Sequence, residues 1–263
     1  MRFVRVPHAG DVSFARLIDD SRALLWTAAP WLGGVETLTE VTLDEGPRLP
    51  PVSPSKIVCV GRNYRAHAAE LGNDVPAEPL LFLKPPTALI GPGATIPLPA
   101  ASSRVEHEGE LAVVVGRTLR DASEDEARAG IFGFTIANDV TARDLQRKDV
   151  QFTRAKGFDG FCPCGPCVET DLSPDDLRLT VRVGATLRQD GRTRDMVFPV
   201  ATLVAYISCV MTLLPGDLIL TGTPAGVGPL VPGDVVEVSI DGLGALVNPV
   251  AGRAATGALP SHR

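Results

Sequence analysis

The sequence predicts an α+β domain with a large, mixed sheet component. Three observations carry this. Short β-type apolar runs recur at 80–84, 105–116, 131–138, 178–184, 217–221 and 234–240. Helical stretches lie between some of them, near 64–71, 123–129, 141–148 and 199–214. No regular βαβ alternation and no internal repeat orders these segments, so a mixed arrangement fits best.

Taken in chain order, residues 1 to about 46 open with strand-like alternation around Phe3-Val4-Arg5-Val6 and a polar loop near His8-Ala9-Gly10-Asp11. Pro47, Pro50, Pro51 and Pro54 follow, a poor helix or central strand and a good linker. The expected division is a small N-terminal domain over 1–50, a main domain over 55–250 and a loose tail over 251–263, rich in small residues. The main domain starts with Lys56-Ile57-Val58-Cys59-Val60-Gly61, a buried-strand pattern ended by glycine.

The net charge is −6 and the pI about 5.3, against a polyanion-binding role. A small anionic ligand is still compatible, because a site can be locally positive inside an acidic chain. Met1-Arg2-Phe3-Val4-Arg5 has no apolar run behind its charges, unlike a secretory signal. With an odd count of five cysteines, that points to a reducing cytoplasm. The uncharged stretch Met196–Gly216 is bracketed by Pro199 and Pro215 and interrupted by Thr202, Ser208 and Thr212. Its Leu203, Val204, Ile207, Val210, Met211 and Leu214 recur at helical spacing, so it reads as a buried amphipathic helix and no membrane span is expected. Cys162, Cys164 and Cys167 form a C-x-C-x-x-C run. It reads as small, partly buried residues in a turn, with a zinc or redox site as the alternative.

The strongest local chemistry is Val105-Glu106-His107-Glu108-Gly109-Glu110-Leu111 and the apolar run behind it. In a strand, residues two apart share a face, so Glu108 and Glu110 project together, with Glu106 in the same row. Carboxylates gathered beside an apolar strand are costly to bury unpaired, and a divalent cation resolves this. Asp139 follows the run Ile131–Ala137, where a strand gives way to a helix. Taken alone, these residues also fit a solvated strand face and a helix N-cap. Three such carboxylates suit Mg²⁺ or Mn²⁺ and leave positions for the carboxylate and keto oxygens of a 2-oxo acid.

These pieces belong to a longer ordered set. It runs Lys56-Ile-Val-Cys-Val-Gly-Arg-Asn-Tyr64, Tyr64-x-x-His67-x-x-Glu70, Leu81-Phe-Leu-Lys-Pro85, His107-Glu-x-Glu110-Leu and Asn138-Asp-Val-Thr-Ala-Arg-Asp144. Ala155-Lys-Gly-Phe158, Leu214-Pro-Gly-Asp217 and Gly222-Thr-Pro-Ala-Gly-Val-Gly228 complete it. Over roughly residues 55 to 250 the chain resembles the fumarylacetoacetate hydrolase family. The resemblance implies a mixed β-sandwich roll, generally a homodimer, with a small N-terminal domain common in bacterial members. It implies Glu108, Glu110 and Asp139 as ligands of Mg²⁺ or Mn²⁺, and leaves Glu106 outside the motif. It implies His67 and Glu70 as a water-activating dyad on a short lid helix, and Lys156 as the lysine steadying developing negative charge. Arg143, Gln146 and Thr223 match substrate-contacting positions. The departure is the cysteine run, where Cys164 and Cys167 fill variable positions.

Residue chemistry is compatible with those roles. The same positions also fit a surface i,i+3 pair at His67 and Glu70, a solvent-exposed helix at Arg143 and Gln146, and an ordinary surface lysine at Lys156. His67 and Glu70 share a helix face at i,i+3, and a carboxylate orients an imidazole and raises its basicity. Arg143 and Gln146 are also i,i+3, and Arg can grip a carboxylate through two hydrogen bonds. The Gly222–Gly228 loop lacks the Gly-Lys-Ser/Thr ending of a phosphate loop. The expected activity is a metal-dependent hydrolase cleaving a carbon–carbon bond of an acylpyruvate-like 2,4-dioxo acid through a metal-held enolate. The alternatives on the same site are oxaloacetate decarboxylation and isomerisation or tautomerisation of an unsaturated 2-oxo diacid. A non-catalytic metal or 2-oxo-acid binding protein would need the carboxylates without the dyad and Lys156. The expected partner is a small anionic 2-oxo acid, with no nucleic acid.

Overall fold

Strand Gly109–Val115 is apolar on both sides of its pleat, and the rest of the molecule is arranged around that fact. Leu111, Val113 and Val115 enter one core while Ala112 and Val114 enter another. A strand buried on both faces reads as a continuous apolar run, which is what its sequence is. The computed structural model of the chain describes residues 1–43 and 46–252.

The largest sheet runs Glu36–Thr42, Arg22–Trp26, Asp11–Leu17, Arg2–His8, Cys162–Glu169, Ile131–Asn138, Gly109–Val115, Leu218–Leu220, Ile57–Gly61, Leu80–Lys84, with Leu89–Ile90 beside Cys162–Glu169. The N-terminal strands form an antiparallel meander, joined to this sheet where Arg2 and Phe3 pair with Glu169 and Val168. A second sheet orders Thr186–Arg192, Arg178–Val183, Val235–Ile240, Gly244–Gly252 and Ile96–Leu98. Leu179, Val181, Val236 and Val238 from this sheet meet Leu111, Val113 and Ile136 in the larger core. The contact is tight enough to demand glycine at 109. A Cβ there would lie 2.4 Å from Val181 Cγ2 and 2.9 Å from Val238 Cγ1. A third, small sheet joins Thr141–Ala142, Val105–His107 and Gly228–Pro229.

Five α-helices lie among the described residues: α1 (Arg65–Glu70), α2 (Glu124–Ala129), α3 (Arg143–Lys148), α4 (Thr153–Lys156) and α5 (Val200–Val210). Mixed sheets with few helices is therefore the architecture. The sharpest helix boundary is α2, where Ser123 and Glu126 form a reciprocal capping box.

Three sequence expectations change. Helix α5 stops at Val210 rather than 214, because Leu213 leaves to bridge Leu119. Val210 and Leu214 are consequently exposed, while Leu203, Val204 and Ile207 are buried as expected. No described helix is long and apolar enough to cross a membrane. The cysteine run is a strand, Cys162–Glu169, not a turn. Cys162 and Cys164 point into one core and Cys167 into another, so the three thiols do not converge on a zinc ion. Burial pushes the Cys162 thiol up to about 12 and Cys167 up to about 11, away from the thiolate that metals and oxidants need. Of the tail expected over 251–263, Ala251 and Gly252 pair with Pro97 and Leu98, and 253–263 lies outside the described residues.

Candidate metal centre

The expected strand 105–116 breaks at Glu108, between Val105–His107 and Gly109–Val115. The break separates the three glutamates. Glu110 departs on the face shared with Ala112 and Val114. Glu108 meets Asp139, whose backbone N–H donates to the Glu108 carbonyl at 2.8 Å. Asn138 Oδ1 accepts from the Glu108 N–H at 2.9 Å. Glu108, Glu110 and Asp139 thus each place a carboxylate oxygen within 4.8 Å of the others, all buried. The solvated-face and N-cap alternatives fall: the N-cap of α3 is Ala142, and Asp139 is 1% exposed. Glu106 goes elsewhere, accepting from Arg104 Nε at 2.6 Å and Arg143 Nε at 2.7 Å.

Fixed cations surround the trio. Lys156 Nζ donates to Glu108 Oε2 at 2.8 Å and Asp139 Oδ2 at 2.7 Å. Lys84 Nζ donates to Asp139 Oδ1 at 2.6 Å and to the Val140 carbonyl at 3.1 Å. Arg143 adds an ion pair to Glu108 through Nη2, and its Nη1 donates to Gln146 Oε1 at 2.6 Å. All three nitrogens of Arg143 are therefore engaged by protein groups. Burial works against the charge of Lys156, but Asp139 and Glu108 outweigh it and push the ammonium up to about 12. Burial likewise opposes the charge of Glu108, yet Lys156 and then Arg143 hold its carboxyl well below the usual range.

Glu110 has no such cation. Among the described residues its one hydrogen bond comes from the Gly222 N–H at 2.6 Å. Burial, then the charges of Asp139 and Glu108, push its carboxyl well above the ordinary value. A buried carboxylate with carboxylate neighbours and no cation partner fits a divalent ion as the missing charge. Ion uptake should then displace a proton from Glu110, so affinity should weaken as pH falls. Calorimetry of Mg²⁺ or Mn²⁺ binding in buffers of different ionisation enthalpy should report proton release. Binding indifferent to pH between 6 and 8, with no proton released, would contradict this account.

The trio opens into a cavity of about 280 Å³. His67, Arg143, Gln146, Lys156 and Thr223 line it, as do Arg62, Arg147, Phe82 and Phe152. His67 and Glu70 stand on α1 as their spacing requires, with Nδ1 3.4 Å from Oε2. That leaves Nε2 as the ring nitrogen for a ligand. Glu70 is outside the lining, and both its oxygens accept from the Gly226 N–H at 3.1 Å. It therefore ties α1 to the glycine loop. Thr223 Oγ1 donates to the Gly109 carbonyl and accepts from Gln189 Nε2, each at 2.7 Å. Gly222 supplies its N–H from φ +99, where a Cβ would lie 2.7 Å from Asn63 Cβ.

Sequence reasoning missed Lys84, which stood in a quoted motif without a role. It also missed the Gln189–His107 pair behind Thr223, whose Oε1 and Nδ1 are 3.1 Å apart. The usable signal for Lys84 was a lysine closing an apolar strand. Gln189 carried none, because its strand pattern is exposed.

The family described as fumarylacetoacetate (FAA) hydrolase C-terminal matches residues 56–251. A Mycobacterium tuberculosis relative, Protein Rv2993c, is 54% identical over 205 residues, 77% of each chain. An Arabidopsis thaliana relative named oxaloacetate tautomerase FAHD1, mitochondrial, is 47% identical, over 72% of this chain and 89% of its own. A Dictyostelium discoideum relative named oxaloacetate decarboxylase, mitochondrial, is 45% identical over the same shares. The crystal structure of 2-hydroxyhepta-2,4-diene-1,7-dioate isomerase from Mycobacterium marinum superposes with a TM-score of 0.89. Its identity is 45%, over 97% of this chain and 99% of that one.

Proposed function

The chain belongs to the fumarylacetoacetate hydrolase family, and from that premise we propose that it interconverts the enol and keto forms of a small 2-oxo diacid such as oxaloacetate. The observation that carries this is the buried Glu108–Glu110–Asp139 trio opening into one cavity with His67 and Lys156. The names of the tautomerase and isomerase relatives support proton transfer over the carbon–carbon hydrolysis expected from the sequence. Hydrolysis needs a positioned water in addition to the same site, whereas tautomerisation needs one proton to leave carbon and one to reach oxygen.

Glu108, Glu110 and Asp139 would hold Mg²⁺ or Mn²⁺, and the ion when bound would supply Lewis-acid stabilisation of enolate charge. His67, oriented through Nδ1 by Glu70, takes the proton from the carbon beside the keto group at Nε2 and hands it to the enolate oxygen, and in the reverse direction carries it from that oxygen back to the carbon. Lys156 stays an ammonium, so it serves as a hydrogen-bond donor to developing oxyanion charge and not as a base. Gln146, its Oε1 held by Arg143, offers its amide N–H to a carboxylate.

The test is a direct assay of enol-to-keto conversion of oxaloacetate with Mg²⁺ or Mn²⁺, run beside CO₂ release and acylpyruvate cleavage. His67→Ala should slow enol–keto conversion by about 10²-fold or more, the usual contribution of a positioned acid–base group. Oxalate binding should remain, because the trio is untouched. Undiminished conversion in that variant would remove His67 from the proposal. Acylpyruvate cleavage far exceeding tautomerisation in the unaltered protein would return the hydrolase reading. CO₂ release retained in His67→Ala would place decarboxylation on the same site without the dyad.

A further inference from the structure

The strand Thr186–Arg192 lies at the edge of the second sheet, and Gln189 is its one fully buried residue. The pairing with Arg178–Val183 shifts there. Gln189 faces Val181 and Leu187 faces Arg182, so Arg188 is left over as a bulge. A bulge re-aims the side chain beside it, and this one turns Gln189 away from solvent. The loop Gly222–Gly228 rests against the bulge. A Cβ on Gly226 would lie 2.0 Å from the Arg188 carbonyl oxygen, and one on Gly191 would lie 2.6 Å from Pro224 Cβ.

Chemistry fixes the direction of every bond that Gln189 makes. Its Nε2 lies 2.7 Å from the Pro224 carbonyl, which can only accept, and 2.7 Å from Thr223 Oγ1. The other end of the amide is therefore the acceptor, 3.1 Å from the Gly109 N–H and 3.1 Å from His107 Nδ1. His107 then carries its proton on Nδ1. Thr223, accepting from Gln189, donates to the Gly109 carbonyl at 2.7 Å. The N–H and the carbonyl of Gly109 belong to the two peptide groups that join Glu108 to Glu110. The same loop reaches two further groups of the site. The Gly222 N–H donates to Glu110 at 2.6 Å, and the Gly226 N–H donates to both oxygens of Glu70 at 3.1 Å.

We propose that Gln189 is a positioning residue: by holding Thr223 and Pro224 it sets the loop Gly222–Gly228, and through that loop both the Glu110 carboxyl and the Glu70 carboxylate that orients His67. The inference rests on the reading of the trio as the ion site and of His67 as the acid–base group, and it names what keeps the two in register. Gln189 lies outside the cavity lining, so it acts through the loop and not on a bound acid. Without its amide, Gly222 and Gly226 are free to withdraw their N–H groups. Glu110 then loses its hydrogen bond, and Glu70 loses the contact that ties α1 to the loop. One buried side chain, supplied by a different sheet, supports both halves of the chemistry.

The experiment compares the full-length protein with Gln189→Met, which fills similar volume without an amide. Hydrogen exchange of the metal-free proteins is read first. Amides of 222–228 should exchange about tenfold or more faster in the variant, with those of 111–115 and 178–183 within about twofold of their starting rates. Mg²⁺ affinity by calorimetry should fall about tenfold or more at unchanged stoichiometry, the usual effect of removing support from behind a metal ligand. At saturating Mg²⁺, kcat for enol–keto conversion of oxaloacetate should fall about tenfold or more while KM stays within about twofold. Glu70→Gln should then have a smaller effect on kcat in the Gln189→Met background than alone, because both act through one loop. Should Gln189→Met fail to fold, Gln189→Asn takes its place, since its amide is one methylene too short to bridge Gly109 and Pro224. Protection lost evenly along the whole chain assigns Gln189 to general stability and overturns the proposal. So does an unchanged loop, an unchanged Mg²⁺ affinity, or strict additivity of the two substitutions. If the unaltered protein does not turn over oxaloacetate, the proposed activity fails, and exchange and ion affinity alone decide the role of Gln189.

Discussion

Glu110→Gln is expected to abolish divalent-ion binding and, with it, turnover, while the metal-free protein folds at least as stably as before. The asymmetry follows from the partners of each carboxylate. Glu108 and Asp139 are held by lysines and arginine: removing Asp139 leaves buried Lys84 without its carboxylate, and removing Glu108 takes one of two carboxylate partners from both Lys156 and Arg143. Glu110 is held only by the Gly222 N–H, and its neighbours already favour the protonated acid. A glutamine amide keeps an oxygen for Gly222 and resembles that neutral acid in size and charge. It does not supply the anionic oxygen that a hard cation prefers. Loss of a Lewis acid worth several kcal/mol should slow turnover by ~10³-fold or more. Calorimetry with Mg²⁺ and Mn²⁺, assay, and thermal unfolding of the metal-free variant together check this. Unaltered ion affinity in Glu110→Gln would show that the ion is not held by this trio.

Lys84→Met should destabilise the metal-free protein by about 3 kcal/mol or more, the usual loss when one partner of a buried ion pair is removed. Lys84 is 1% exposed and gives two hydrogen bonds, to Asp139 and to the Val140 carbonyl. Methionine fills comparable volume but leaves an anionic oxygen and a carbonyl without their donor. Asp139 retains Lys156 on its other oxygen, so the carboxylate is weakened rather than abandoned. A bound divalent ion would restore the missing positive charge. The deficit should therefore shrink when urea unfolding is repeated with saturating Mg²⁺ or Mn²⁺. A metal-free loss below about 1 kcal/mol, or a loss that metal does not reduce, would contradict the placement of Lys84 against the ion site.

The candidate site was legible mainly through the family resemblance, because taken alone its carboxylates also fit a solvated strand face and a helix N-cap. His67 and Glu70 need only one helical turn, and α1 provides it. Glu108 and Glu110 were picked out by the strand repeat, but Glu108 falls in the break between Val105–His107 and Gly109–Val115, and Glu106 goes to Arg104 and Arg143. What stayed hidden depends on chain segments far apart. Nothing local tells Lys84 that Asp139 lies beside it, 55 positions away. Arg143 looked like a substrate clamp because Arg binds carboxylates. The carboxylates it binds are the protein's own Glu106 and Glu108. In the fold, Cys162–Glu169 was obscured by Pro163, Gly165 and Pro166, residues that read as a turn on propensity alone. Tertiary pairing overrides that: the strand bonds to Ile131–Asn138 on one side and to Arg2–His8 on the other.

The antiparallel pairing that joins Gly109 to Asn138 and Glu110 to Ala137 also makes the site a check on correct folding. A slip of one position would turn Glu110 toward Val181 and Val238, where even a methyl group does not fit at residue 109. Chains in that register would bury the Glu110 carboxyl against apolar side chains without the Gly222 N–H that it has in the native alignment. Chemistry and strand register thus meet in the same antiparallel pair.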